Sequence, residues 1–158
     1  MKALVLAIRP RFTDSILDGT KTVELRRSKP RVESGHMALI YACAPVKAIV
    51  GGFVIDGFLT ARPDALWTAV KGKAAVTYEE FKAYFKDCGV GHAISIRDPW
   101  RARTPVPLEV LRTECPSFHP PRSYGYISLS GHLASLLGHN GSVGPSQVEV
   151  ALEVQTRA

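Results

Sequence analysis

The chain is poor in cysteine and has no long apolar run. Its three cysteines, Cys43, Cys88 and Cys115, are odd in number and far apart, which fits reduced thiols in a cytoplasmic protein better than a disulfide framework. No stretch approaches the about 18 to 20 consecutive apolar residues of a membrane span. The start, Met1, Lys2 and Ala3, reaches Arg9 and Pro10 too soon for a signal peptide. A soluble, intracellular protein without a membrane partner is therefore expected. Acidic residues are the scarcer charge: 14 Asp and Glu stand against 20 Lys and Arg, a net charge of +6 and a pI near 9.4. That balance favours polyanionic partners, nucleic acid first. With 46% hydrophobic and 22% charged residues the chain is not disordered as a whole. Its 158 residues make one domain with a core of its own, and neither an internal repeat nor a second domain is visible.

The stretch from Gly19 to Arg27 organises the rest. Pro10 to Asp18 reads as a helix, with Pro10 in its first turn, Phe12, Ile16 and Leu17 as its apolar stripe, and Gly19 as the residue that closes it. A strand should start near Lys21. Alternation then places Val23 and Leu25 on one face and Thr22, Glu24 and Arg26 on the other. One face packs a core while the other offers a carboxylate beside a guanidinium. Arg26, Arg27, Lys29 and Arg31 crowd cations into the strand end and the polar loop after it, the expected nucleic-acid footprint.

Lys2 to Ile8 reads as a buried first strand. His36 to Ala44 and Val46 to Leu59 follow as two long strands, with Gly51 and Gly52 placed for a bulge or sharp bend. Pro63 to Lys71 and Tyr78 to Lys86 read as short helices, the second opened by a capping box of Thr77 and Glu80. Their aromatic residues, Trp67, Phe81, Tyr84 and Phe85, have the spacing of a core stripe. Ala93 to Arg97 is a strand that Asp98, Pro99 and Trp100 should break, and Leu108 to Thr113 a helical turn or two. Tyr124 and Tyr126 share a strand parity, so their rings face one side, as a stacking platform or a packed edge. Gly131 to Leu137 fits a short helix, His139 to Pro145 a linker, and Gln147 to Val154 an extra strand or a tail.

Gly19, Lys21, Glu24 and Arg26 occupy the fixed places of GxKxxExR, which resembles the signature of ASCH domains, a branch of the PUA-like barrels. The context is similar as well: LxIRP at Leu6 to Pro10, FxxxIL at Phe12 to Leu17, then Ile40 to Ala42 and Pro45 to Gly51. His119 to Tyr126, a proline pair leading into an aromatic strand, resembles the segment that closes the family's barrel. The resemblance, to the small stand-alone bacterial type, runs from about Leu4 to Tyr126. It implies an α+β fold, a PUA-like mixed β-barrel of about five or six strands with short flanking helices. Residues 1–128 would form the domain and 129–158 an extension of one short helix and a tail.

The resemblance also implies a cleft beside the first helix and the signature strand that holds nucleic acid, either single-stranded RNA or a modified nucleotide, in a regulatory or RNA-metabolic role. Arg9, Lys21, Arg26, Arg27 and Lys47 would contact phosphate and sugar. Glu24 would accept from an exocyclic amine or a clamp arginine, Ser123 would be a further nucleic-acid-binding residue, and Tyr41, Tyr124 or Tyr126 would stack a splayed base. The bland alternative makes Glu24 and Arg26 an architectural pair. As a hydrolase, a ribonuclease would use Glu24 as base, Lys21 as electrostatic stabiliser, Arg26 as clamp, and His36 or His119 as acid. An N4-acylcytidine amidohydrolase would match Lys21, but Glu24 stands where the threonine belongs and no carboxylate lies near 73–76; only Thr22 offers a hydroxyl. Glu24 should hold that lysine charged. An acidic-peptide module is the third reading. CxxxH recurs at Cys88 and His92 and at Cys115 and His119, yet zinc ribbons use tighter cysteine pairs. No metal or cofactor is expected.

Overall fold

Alternate residues of β1 (Lys2–Ile8) enter two different cores, and the sheet is built out from it. Leu4, Leu6 and Ile8 pack with Ile16, Ala38, Ile40, Phe53, Ile55 and Ile94. Ala3 and Val5 face the other way, onto Leu39, Tyr41, Ile49, Val106 and Leu111. A strand apolar on both faces is the kind that lies inside a covered sheet. The structure, a computed structural model, describes residues 2–138.

Beside β1 lie β3 (Met37–Ala42), parallel to it, and β6 (Tyr124–Ser128), antiparallel. β4 (Ala48–Ala61) runs antiparallel to β3 and carries β5 (Gly91–Pro107), which carries β2 (Val23–Arg26). The six strands form one mixed sheet in the order β2-β5-β4-β3-β1-β6. Five helices flank it among the described residues: α1 (Pro10–Leu17), α2 (Pro63–Val70), α3 (Tyr78–Tyr84), α4 (Leu108–Glu114) and α5 (Gly131–Leu136). This is the expected α+β, barrel-like class. No backbone ladder joins β2 to β6, so the sheet curls without closing. The side chain of Arg26 crosses between its ends, donating to the carbonyls of Ser123 at 2.9 Å and Ala7 at 3.0 Å.

Local signals explain several element ends. Gly19 takes φ +86° just past α1, the left-handed position that favours glycine. Thr77 caps α3 with its reciprocal partner Glu80. At Gly52 an added Cβ would lie 2.6 Å from the Ala38 carbonyl and 2.8 Å from the Trp100 ring. Only a glycine lets β4 bend this closely over its neighbours. A third cluster, Val23, Leu25, Leu66, Val70, Phe81, Phe85 and Ala93, fills the space under α2 and α3, where Trp67 meets Phe81 at 5.1 Å between ring centres. α5 joins the first core through Leu133 and Leu137.

Two expectations are corrected. Asp98 and Pro99 do not break the strand: β5 continues to Pro107, because the register shifts between Gly52 and Val54 and Asp98 takes φ +48°, a bulge that absorbs the proline. Nor does β2 begin at Lys21. The Lys21 amide donates to Ser15 O, and those of Thr22 and Val23 both donate to Lys73 O. The chain is still tied to α1 and the turn after α2 there, and pairing starts only at Val23. The linker and strand expected within 139–154 lie outside the described residues.

Candidate functional site

The delayed start of β2 turns Lys21 inward. Its residue is 2% exposed, Glu24 is 7% and Arg26 5%, although all three are ionisable. Glu24 stands between two cations. Its Oε2 lies 3.5 Å from Lys21 Nζ and its Oε1 accepts from Arg26 Nη2 at 2.9 Å. Lys21 Nζ also donates to the Ala74 carbonyl through a short bond and sits 4.9 Å from the centre of the Phe12 ring. Arg26 adds the Ser123 hydroxyl at 3.3 Å to its two carbonyl acceptors, while its buried Nε has no partner. Burial pushes the Lys21 ammonium below its ordinary value of 10.5, with Glu24 opposing the shift. Glu24 acts in the expected direction, favouring the charged lysine, but desolvation is the larger effect.

Around this network the surface is basic. Arg27, Lys29 and Arg31 are exposed on the loop after β2, and Arg122 just before β6. Arg9, exposed at the N-cap of α1, follows the end of β1 that receives Arg26. Aromatic residues seat the loop. The Arg27 guanidinium lies 4.9 Å from the centre of the Tyr84 ring, and Lys29 Nζ 4.7 Å from that of Phe58. The Tyr124 hydroxyl donates to Lys29 O at 3.4 Å, and the Arg31 amide donates to the Tyr126 hydroxyl at 3.2 Å. Among the described residues none of Arg9, Arg27, Lys29, Arg31, Lys47 and Arg122 pairs with a carboxylate. Arg11, Arg62, Arg97 and Arg101 each do, with Glu80, Asp64, Asp56 and Asp14.

Residues 6–106 match the family model of the ASCH domain. The chain belongs to the ASCH domain family. An ASCH domain-containing ribonuclease of Zymomonas mobilis is 29% identical over 126 residues, 80% of this chain and 84% of that protein. The crystal structure of an ASCH protein from the same organism superimposes with a TM-score of 0.77 at 27% identity, over 85% of this chain and 92% of that one. That of a tyrosine-to-phenylalanine variant of a Zymomonas ASCH protein gives 0.76 at 23% identity, over 98% and 99%, a likeness of fold.

The ASCH signature residues converge, but as a filled network instead of an open cleft. Two hollows lie elsewhere. One, of about 270 Å3, runs between β6 and the segment before it, past Cys115, Ser117, His119, Tyr126 and Ser128. The other, of about 210 Å3, lies between α1, the turn after β3 and β5, past Thr13, Leu17, Val46 and Arg101. Tyr41 is 3% exposed and faces the first core, its ring 6.1 Å from that of Phe118, on the opposite side of the sheet from Ile40 and the network. Burial pushes its phenol up. Lys47 is exposed on the turn after β3, near the end of β1, since Ile8 pairs with Ala42. Thr22 is exposed outside the network. Tyr124 and Tyr126 meet edge to face at 6.2 Å, and Tyr126 is 45% exposed. Among the described residues no three His, Cys, Asp or Glu side chains gather as a metal site, so the repeated CxxxH spacing does not assemble a four-ligand cluster. No helix among them is long and apolar enough to cross a membrane.

Sequence reasoning named His92 only as a member of the repeated CxxxH spacing and missed its place beside Arg26. Its Nδ1 lies 2.8 Å from the Thr60 hydroxyl, and it stands directly opposite Arg26 across the β2–β5 pair. Burial, then the Lys29 ammonium, hold the imidazole below its ordinary value of 6.5. No motif marks this grouping, because Thr60, His92 and Arg26 come from three strands.

Proposed function

We propose that this ASCH domain binds RNA in single-stranded form, or a modified nucleotide, along the basic rim around the Arg26 crossing. One observation carries the reading: the exposed cations Arg9, Arg27, Lys29, Arg31, Lys47 and Arg122 gather around the Arg26 crossing, and none of them has a carboxylate partner among the described residues. Unpaired exposed cations around one feature leave their charge to a polyanion. The name ribonuclease carried by the Zymomonas relative supports RNA over other polyanions.

The loop cations and Arg9 contact phosphates and set the register of the strand. Tyr126, exposed and flanked by Tyr124, stacks a splayed base. Lys21, Glu24 and Arg26 act beneath the rim: Glu24 fixes Arg26, and Arg26 with Ser123 holds β6 and its tyrosines against β2. Tyr41 supports the strand from the opposite core. The test titrates labelled single-stranded RNA and DNA at two salt concentrations against the wild type and an Arg27→Ala/Lys29→Ala/Arg31→Ala variant. Saturable, salt-sensitive binding that the triple variant loses is the expected result. Absence of binding by the wild type at low salt, or equal binding by the variant, overturns the reading.

A further inference from the structure

The described histidines differ in surroundings. His132 Nδ1 lies 2.8 Å from Glu114 Oε2. His36 has its Nε2 buried without a partner. His119 lines the hollow beside β6. His92 alone among them stands on the basic rim, half-buried, between Thr60 of β4 and Arg26 of β2. Residues directly opposite in antiparallel strands share a face, with Cβ atoms about 5 Å apart, so imidazole and guanidinium project side by side. Lys29 reaches the same place from the loop, over Phe58, which lies two residues before Thr60 on β4.

The bonding of His92 is that of a base held ready. Thr60 Oγ1 engages Nδ1, and Nε2 has no partner among the described residues. When Nδ1 carries the proton and donates to Thr60, Nε2 presents its lone pair toward solvent. Burial and the neighbouring ammonium keep the ring neutral near pH 7. The charged groups facing it are Arg26 from β2, whose terminal nitrogens are already bonded, and Lys29 from the loop, the cation placed for a phosphate beside the ring.

We infer that His92 is a general base for RNA strand cleavage at this rim, positioned by Thr60, with Lys29 on the scissile phosphate. The inference rests on the RNA reading above and gives it a chemistry. His92 Nε2 takes the proton of a ribose 2′-hydroxyl; the 2′-oxygen forms a bond to the adjacent phosphorus as the bond from phosphorus to the 5′-oxygen breaks. The leaving 5′-oxygen takes a proton from solvent water, and the hydroxide so formed is neutralised by the proton on His92. The products are a 2′,3′-cyclic phosphate and a 5′-hydroxyl, with no water consumed and no change of oxidation state. DNA, lacking the 2′-hydroxyl, is bound but not cut.

The experiment incubates the full chain with end-labelled RNA, with DNA of the same sequence, and with RNA carrying a single deoxynucleotide. Binding is measured in parallel for wild type, His92→Gln and Thr60→Val. The expected result is RNA cut to cyclic-phosphate ends, arrest at the deoxy position, and a loss of about 100-fold or more in His92→Gln with RNA affinity changed less than threefold. Thr60→Val, a positioning change, should shift the pH profile of cleavage and not only its height. RNA bound but left intact by the wild type overturns the inference and leaves the binding reading standing. Cleavage of DNA, 5′-phosphate products, or full activity in His92→Gln overturns it as well. Failure to bind RNA at all overturns the binding reading, and the inference with it.

Discussion

Arg26 and Arg27 are neighbours in the chain and end in opposite surroundings. Arg26 is 5% exposed and gives its terminal nitrogens to a carboxylate, two carbonyls and a hydroxyl. Arg27 is exposed and rests on the Tyr84 ring with no carboxylate among the described residues. The alternation of β2 makes the difference, since adjacent side chains must leave a strand on opposite sides. A buried guanidinium needs every acceptor it can reach, because removing it from water costs several kcal/mol. An exposed one costs little and keeps its charge for a partner. The inner cation therefore shapes the domain and the outer one recognises. Mutations should separate the two roles.

Replacing Glu24 by Ala should have the largest effect. It leaves two buried cations facing each other, and breaking such a pair costs about 3–5 kcal/mol. The thermal midpoint should fall on the order of 10 °C. Arg97→Ala, which removes an exposed partner of Asp56 at 3.4 Å, should stay within about 0.5 kcal/mol of the wild type when both variants are compared by urea denaturation. Equal losses in the two variants would mean that the inner network is not special. The outer cations should behave in reverse. Lys29→Ala should leave stability within about 0.5 kcal/mol while lowering the slope of log affinity for RNA against log salt by about one. A Lys29→Ala protein that is destabilised but binds normally would reverse the assignment.

Much of this architecture was legible because its causes are local. Gly19 past a helix and Thr77 three residues before Glu80 announce the ends of α1 and α3, since the groups that satisfy each end lie within a turn of it. The alternation of Val23 to Arg26 likewise gave the polar face of β2. The inward turn of Lys21 was not legible, because it depends on carbonyls of Ser15 and Lys73 supplied by other elements. Asp98 and Pro99 misled for a similar reason: a proline argues against a strand unless a bulge takes it, and that bulge comes from the register of β4 against β5. Tyr41 was expected to stack a base and instead packs on Phe118, because which face of β3 meets that core depends on a segment far along the chain. Glu24 was read correctly as close to Lys21, while the size of the desolvation against it was hidden, because burial is a property of the whole fold.

A smaller effect separates the two regions by pH. Burial holds His36 below its ordinary value of 6.5, opposed by a hydrogen bond with the backbone of Lys2. A base with a lowered folded value binds fewer protons folded than unfolded, so its contribution is complete above pH 6.5 and is lost as pH falls toward the folded value. The urea midpoint should decline by roughly a few tenths molar between pH 7 and 5. His36→Leu should flatten part of that slope, and His92→Gln the remainder, since His92 is shifted in the same direction. A slope unchanged in the double variant would place the acid sensitivity in carboxylates instead.

The smallest effect tests how the outer region is held. Tyr126 receives the Arg31 amide at 3.2 Å while its ring stays 45% exposed, so hydroxyl and ring serve different partners. Tyr126→Phe keeps the ring and removes only the acceptor. An exposed neutral hydrogen bond contributes about 0.5–1 kcal/mol at most, and the Arg31 amide regains water when it is lost. Global stability should therefore hardly move, while hydrogen exchange at Arg31 accelerates several-fold and RNA affinity drops less than in Tyr126→Ala. Equal affinity losses in the two variants would mean that the hydroxyl, by seating the cationic loop, matters more than the ring as a stacking surface.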